Sequence, residues 1–236
     1  MSRLSDSHHF RKTIAGMCMI GAPLLFLVGM VVHPGRKSDV GDQLAVIAGN
    51  MDAWFATHMF ALGAMALAVP AVLGLMHMLR EREVAYGHVG GALALIGLLA
   101  GTGVVAIDGF VGWQAGAATG SDAGAMTALF ERVTETTGVV LPFYAMSLAF
   151  AAGMIVLAAG LYRAHAVQSW TAVLLAVGAT GAALGGFIAS DVLAIAGSAV
   201  LLVGFFQTGR MVLAETDEKW EHTPEYRGFR PLAGSR

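Results

Sequence analysis

The chain has 236 residues, of which 56% are hydrophobic and 13% charged, against roughly 25% charged in an ordinary soluble domain. A mean hydropathy of +0.68 excludes a water-soluble globule, and a formal net charge of -2 lacks the basic surplus of a nucleic-acid binder. Cys18 is the single cysteine, so an intrachain disulfide and a Cys-rich metal motif are excluded as well.

A helix needs about 20 apolar residues to cross a hydrocarbon core of about 30 Å, because every backbone polar group must be paired internally there. Six stretches meet that requirement, at 13–32, 54–79, 88–113, 138–162, 169–189 and 192–213. The expected fold is therefore an all-α integral membrane bundle of six helices over 1–213, with a charged tail at 214–236. His33-Pro34-Gly35-Arg36 follows the first span where a signal peptide would carry small residues, so that span reads as a mature helix. Ser190 and Asp191 alone interrupt the last apolar tract, which predicts a tight turn between the fifth and sixth spans.

Direction follows from the loop cations, which accumulate on the cytoplasmic side. With the N-terminus inside, the inner side holds Arg3, Arg11, Lys12, Arg80, Arg82, Arg163, Arg210, Lys219, Arg227, Arg230 and Arg236. Only Arg36, Lys37 and Arg132 remain outside, so both termini are expected in the cytoplasm and the protein in the plasma membrane as a multi-pass chain. Trp54 and Trp113 then fall at the outer interface and Trp170 at the inner one, as an aromatic belt requires.

Between the spans, the apolar run from Asp42 to Ala48, ended by Gly49-Asn50, predicts an interfacial helix in the first outer loop. In the second, Ser121-Asp122 before Met126 to Phe130 predicts a capped helix after a Gly/Ala-rich loop. The tail reads as a helix extension with a disordered end, and His8-His9 as a flexible surface feature.

Helices in lipid associate by close packing, for which small residues four apart are the usual device. Gly97 and Gly101 form such a pair on the third span, and Gly112, Gly116, Gly120 and Gly124 continue the spacing. On the fifth span Gly178, Ala182 and Gly186 form one stripe and Gly181 and Gly185 another. Small faces on several sides predict that spans three and five are central. Gly97, Gly101, Gly181 and Gly185 would also suit a homo-oligomer or a membrane partner subunit, with lipids around the remainder.

Ionisable groups at membrane depth are costly and so point to function. His58 and Asp108 lie four to five residues inside the outer ends of their spans, about 6 to 8 Å deep at 1.5 Å per residue. His33 closes the first span on the same side, and Asp191 sits at the outer turn. These four residues form the expected ligand site. His33, His58 and Asp108 match the donor set of a divalent metal such as zinc or iron with an open position. A structural hydrogen bond between His58 and Asp108, or a proton-handling pair, is the competing reading. His33 and His58 with His77 and His88 would suit two haems, although His33 and His88 stand at helix ends where haem would be half exposed.

The sulfur-rich triplets Met17-Cys18-Met19 and Met76-His77-Met78 have donors that suit Cu(I), but residues two apart point about 200° away from each other on a helix. No phosphate loop or nucleophile elbow occurs. Pro70 should kink the second span. The expected function is binding or conduction of a small ligand, a cation or metal foremost, through an outer-facing His/Asp pocket. A metal-dependent membrane enzyme using the same pocket, a haem b electron carrier and an accessory subunit packed through its glycines are the alternatives.

Overall fold

The computed structural model describes residues 7–221; the expected tail beyond 221 lies outside them. Among the described residues there are helices and no strands, and six helices are long and apolar enough to cross a membrane. The spanning helices are α1 (Ser7–Val32), α3 (Met51–Met78), α4 (Val84–Thr134), α5 (Thr137–Arg163), α6 (Ser169–Phe187) and α7 (Asp191–Ala214). Two short helices, α2 (Val40–Gly49) and α8 (Asp217–Trp220), lie at opposite ends of the bundle. We call the α2 end distal and the other end terminal.

The spanning helices form a ring in which each touches the next: α1 with α3, α3 with α4, α4 with α5, α5 with α6, α6 with α7, and α7 with α1. Among the described residues no helix occupies the middle, which corrects the expectation that spans three and five are central. Val173, Val177 and Leu184 on α6 are exposed, so this helix has an outward face, and Gly178, Gly181 and Gly185 all serve its seam with α7. A cavity stands in the centre instead, lined by residues of all six helices.

Glycine explains how the ring closes. A Cβ on Gly153 would lie 2.4 Å from the Ala94 nitrogen, one on Gly197 2.2 Å from that of Ala182, and one on Gly185 2.2 Å from that of Ala194. At these seams backbone meets backbone, so no side chain fits between. Gly97 faces Phe150, Gly101 faces Met146 and Met65, and Gly181 faces Gly197. Each glycine predicted to bind a partner is thus engaged by another helix of its own chain.

One boundary differs from expectation. The third span does not stop at Trp113: α4 continues as helix to Asp122, whose φ of -158° and ψ of 85° break it. There Asp122 accepts a hydrogen bond from the Ala125 nitrogen at 2.9 Å and caps the second segment. The Gly/Ala-rich stretch stays helical because α2 packs on it: a Cβ on Gly116 would meet Ile47 at 2.8 Å. Leu44, Ile47, Trp54, Ala115 and Phe130 form a small separate core at this distal end. The tight turn at Ser190 is present, with its hydroxyl accepting from Leu193. α3 runs as one helix through Pro70.

The terminal end is clasped by segments from both ends of the described chain. Lys12, only 5% exposed, donates to the Glu215 carbonyl at 2.6 Å and pairs with Asp217. His9 bonds the same Asp217 at 3.0 Å, so it is not the free surface feature expected. The Lys12 hydrogen bond, with that of His9, holds the Asp217 carboxyl below its ordinary range. Trp220 is buried against the His77 ring, with centroids 4.4 Å apart.

Candidate functional site

The distal half of the cavity is where polar groups converge. α3 supplies Trp54 and His58 one turn apart, and α4 supplies Asp108 and Gly109. A Cβ on Gly109 would sit 2.7 Å from the His58 Cβ, so glycine allows α4 to approach α3 beneath the imidazole. Trp54 Nε1 donates to the Gly109 carbonyl at 3.0 Å and locks this register.

His58 is 5% exposed. Its Nδ1 lies 2.7 Å from the Trp54 carbonyl oxygen and its Nε2 3.1 Å from Asp108 Oδ2. A carbonyl only accepts, so Nδ1 carries a hydrogen. The contact with Asp108 therefore holds one proton, shared between imidazolium and carboxylate or between neutral imidazole and carboxylic acid. The other Asp108 oxygen makes no hydrogen bond among the described residues, and the side chain lines the cavity.

His33 follows the end of α1 and packs edge-on and tilted against the same cluster. Its ring centroid is 5.4 Å from that of Trp54 and 6.0 Å from that of His58. Nδ1 donates to the Pro34 carbonyl. Burial first, then the Arg36 charge, pushes the His33 pKa down to about 4, so this imidazole is neutral at pH 7.

Asp191 takes a different partner. Arg36 Nη1 pairs with its Oδ1, and the Arg36 backbone nitrogen reaches Oδ2 at 3.3 Å. This clasp ties the first distal loop to the start of α7. Arg36 lines the cavity, whereas Asp191 does not. Of the four residues expected as ligands, the structure bonds His58 to Asp108, sets His33 beside them through its ring, and engages Asp191 elsewhere. Among the described residues no three His, Cys, Asp or Glu side chains gather as a metal ion would need.

The other expected donors are engaged singly. His77 Nε2 bonds the Trp220 carbonyl at 2.7 Å, and His88 bonds the Val84 carbonyl of its own helix at 2.9 Å. Met17 is 59% exposed while Met19 is fully buried, on opposite helix faces as the angular argument requires.

The cavity has a volume of about 250 Å³, a little under the range of about 300–1,000 Å³ for small-molecule pockets. His33, Arg36, His58 and Asp108 form its distal end, and its inner walls include Ala64, Met65, Leu98, Val105, Leu201 and Phe205. Ser147 also lines it, from a single π-turn over Ala145–Ala149 that interrupts α5 three residues after Pro142. Sequence reasoning missed Ser147 and Arg36. A serine within an apolar span carries little signal until the π-turn is seen, and the Arg36–Asp191 pair joins positions 155 residues apart.

Compared with known protein families, with curated proteins and with solved structures, the chain matches none.

Proposed function

We propose that this multi-pass membrane protein binds a small amphiphile, with an apolar body inside the ring and a hydrogen-bonding head at His58 and Asp108, facing the outer side. The observation that carries this reading is the cavity itself: apolar walls from six helices, with a polar cluster at one end. Such a chamber favours a molecule that is mostly hydrocarbon. A head bearing a hydroxyl donates to the open Asp108 oxygen, beside the contact that Asp108 makes with His58. A bare cation fits this environment less well, because Arg36 adds positive charge at the same end and Asp191 is already neutralised by it.

A divalent zinc or iron ion is the second reading, and one observation favours it. The Nδ1 hydrogen of His58 is fixed on a backbone carbonyl, the support that metal-bound imidazoles use. The ion would replace the proton between His58 Nε2 and Asp108, with His33 nearby.

Titration of the detergent-solubilised protein with decanol, read as a rise in thermal midpoint, tests the first reading. The wild type responds, and Ala183→Phe, which places a ring in the cavity, responds little while keeping its own folded baseline. A wild type that does not respond overturns the amphiphile. Elemental analysis of the same samples tests the second: stoichiometric zinc or iron lost in His58→Ala would establish the metal in its place.

A further inference from the structure

Ser147 is 6% exposed, and its hydroxyl has no hydrogen-bond partner among the described residues. Within an ordinary helix a serine in an apolar span bonds the carbonyl four residues back, as Ser198 does to Ala194 at 2.6 Å and Thr208 to Gly204 at 2.9 Å. Ser147, within the π-turn, makes no such bond among the described residues, and its side chain lines the cavity. A hydroxyl open to the cavity is available to a bound hydrogen-bonding group, and π-turns of one residue's insertion are concentrated at functional sites.

The packing of α4 against α5 fixes where this hydroxyl lies relative to the polar cluster. Gly97 faces Phe150 and Gly101 faces Met146, so the helices run antiparallel and Ser147 is level with position 100 of α4. Asp108 is eight residues further along α4, about 12 Å at 1.5 Å per residue. The wall between these two levels is apolar, formed by residues such as Val104, Val105, Ala61 and Met65.

We infer that the cavity takes an elongated molecule with hydrogen-bonding groups at two places, one at His58 and Asp108 and a second held by Ser147 about 12 Å deeper. The chemical class is a single-chain hydrocarbon carrying an oxygen function at each end, such as a hydroxy-alcohol, in contrast to a simple fatty alcohol. This inference rests on the amphiphile reading and names its ligand more narrowly.

The test compares decanol with the α,ω-decanediol, whose second hydroxyl stands at the end of an extended ten-carbon chain of about the required length. The full-length protein in detergent is titrated with each, and affinity is read from the thermal midpoint against concentration. In the wild type the diol binds about fivefold more tightly, the effect of one added buried hydrogen bond. In Ser147→Ala that preference vanishes while decanol still binds, which shows that the variant is folded; in Ser147→Thr, which keeps a hydroxyl, it persists. The shorter pair, butanol and butanediol, shows no preference in the wild type because four carbons do not reach. Equal binding of decanol and decanediol to the wild type overturns the second anchor and leaves the amphiphile reading standing, as does a preference unchanged in Ser147→Ala. Failure of both to bind overturns the two readings together.

Discussion

Trp54 does three things with one side chain and one carbonyl. Its indole nitrogen fixes Gly109 on α4, its carbonyl fixes the His58 tautomer, and its ring packs against both His33 and His58. Local geometry of this kind sets the chemistry of the polar cluster before any ligand is considered. His33 gives a pH signature of that burial. Its folded-state pKa of about 4 lies below the ordinary 6.5, so between these values the unfolded chain binds a proton that the folded chain does not. Stability then falls as pH drops through the window from 6.5 to 4. Thermal midpoints measured from pH 7 downwards are expected to fall more steeply in the wild type than in His33→Gln; parallel curves would show that His33 is not buried in its neutral form. The depth match between His58 and Asp108 was legible in the sequence, because counting residues from the span ends places them level. The role of His33 was not, since whether an imidazole after a helix end turns inward depends on the loop that follows. The partner of Asp191 was hidden for the same reason: Arg36 stands 155 residues away in the chain, and no spacing rule connects them.

At the scale of elements, most seams close through glycine. Five of the neighbouring pairs approach through glycine, as at Gly74 between α1 and α3, Gly109 between α3 and α4, Gly153 between α4 and α5, Gly197 between α6 and α7, and Gly209 between α7 and α1. Between α5 and α6 the distal ends meet through aromatic rings, with Phe143 stacked 6.2 Å from Phe187 and Tyr144 edge-on at 5.6 Å. Gly197→Ala forces a methyl to within 2.2 Å of the Ala182 nitrogen and is expected to cost about 3 kcal/mol. Gly103→Ala meets nothing within 4 Å and is expected to gain about 0.5 kcal/mol through its helix preference. Chemical or thermal unfolding of the two variants checks the contrast, and equal effects would contradict the packing described. Helix spans were legible because a run of about 20 apolar residues is the length that a bilayer core demands and is longer than a soluble core helix needs. The end of the third span was not: the run past Trp113 becomes polar enough to resemble a loop, and only the packing of α2 on Gly116 keeps it helical.

The molecule as a whole is a ring that leaves its centre empty, and this feature was hidden in the sequence. Small residues on several faces of a helix look the same whether they meet two neighbours across tight seams or a full circle of them. The clasp at the terminal end, with Lys12 and His9 on Asp217 and Trp220 over His77, braces one end of the ring. Arg36 and Asp191 brace the other, and the polar cluster lies just inside it. Under the amphiphile reading, a molecule bound in this cavity is carried through purification. Native mass spectrometry of the protein released from detergent tests this most directly, beside the Ala183→Phe variant. A bound single-chain molecule is expected on the wild type and is expected to be absent from the variant. A wild type that flies at the mass of the bare chain, or an adduct retained equally by both, would contradict the central cavity as a binding chamber.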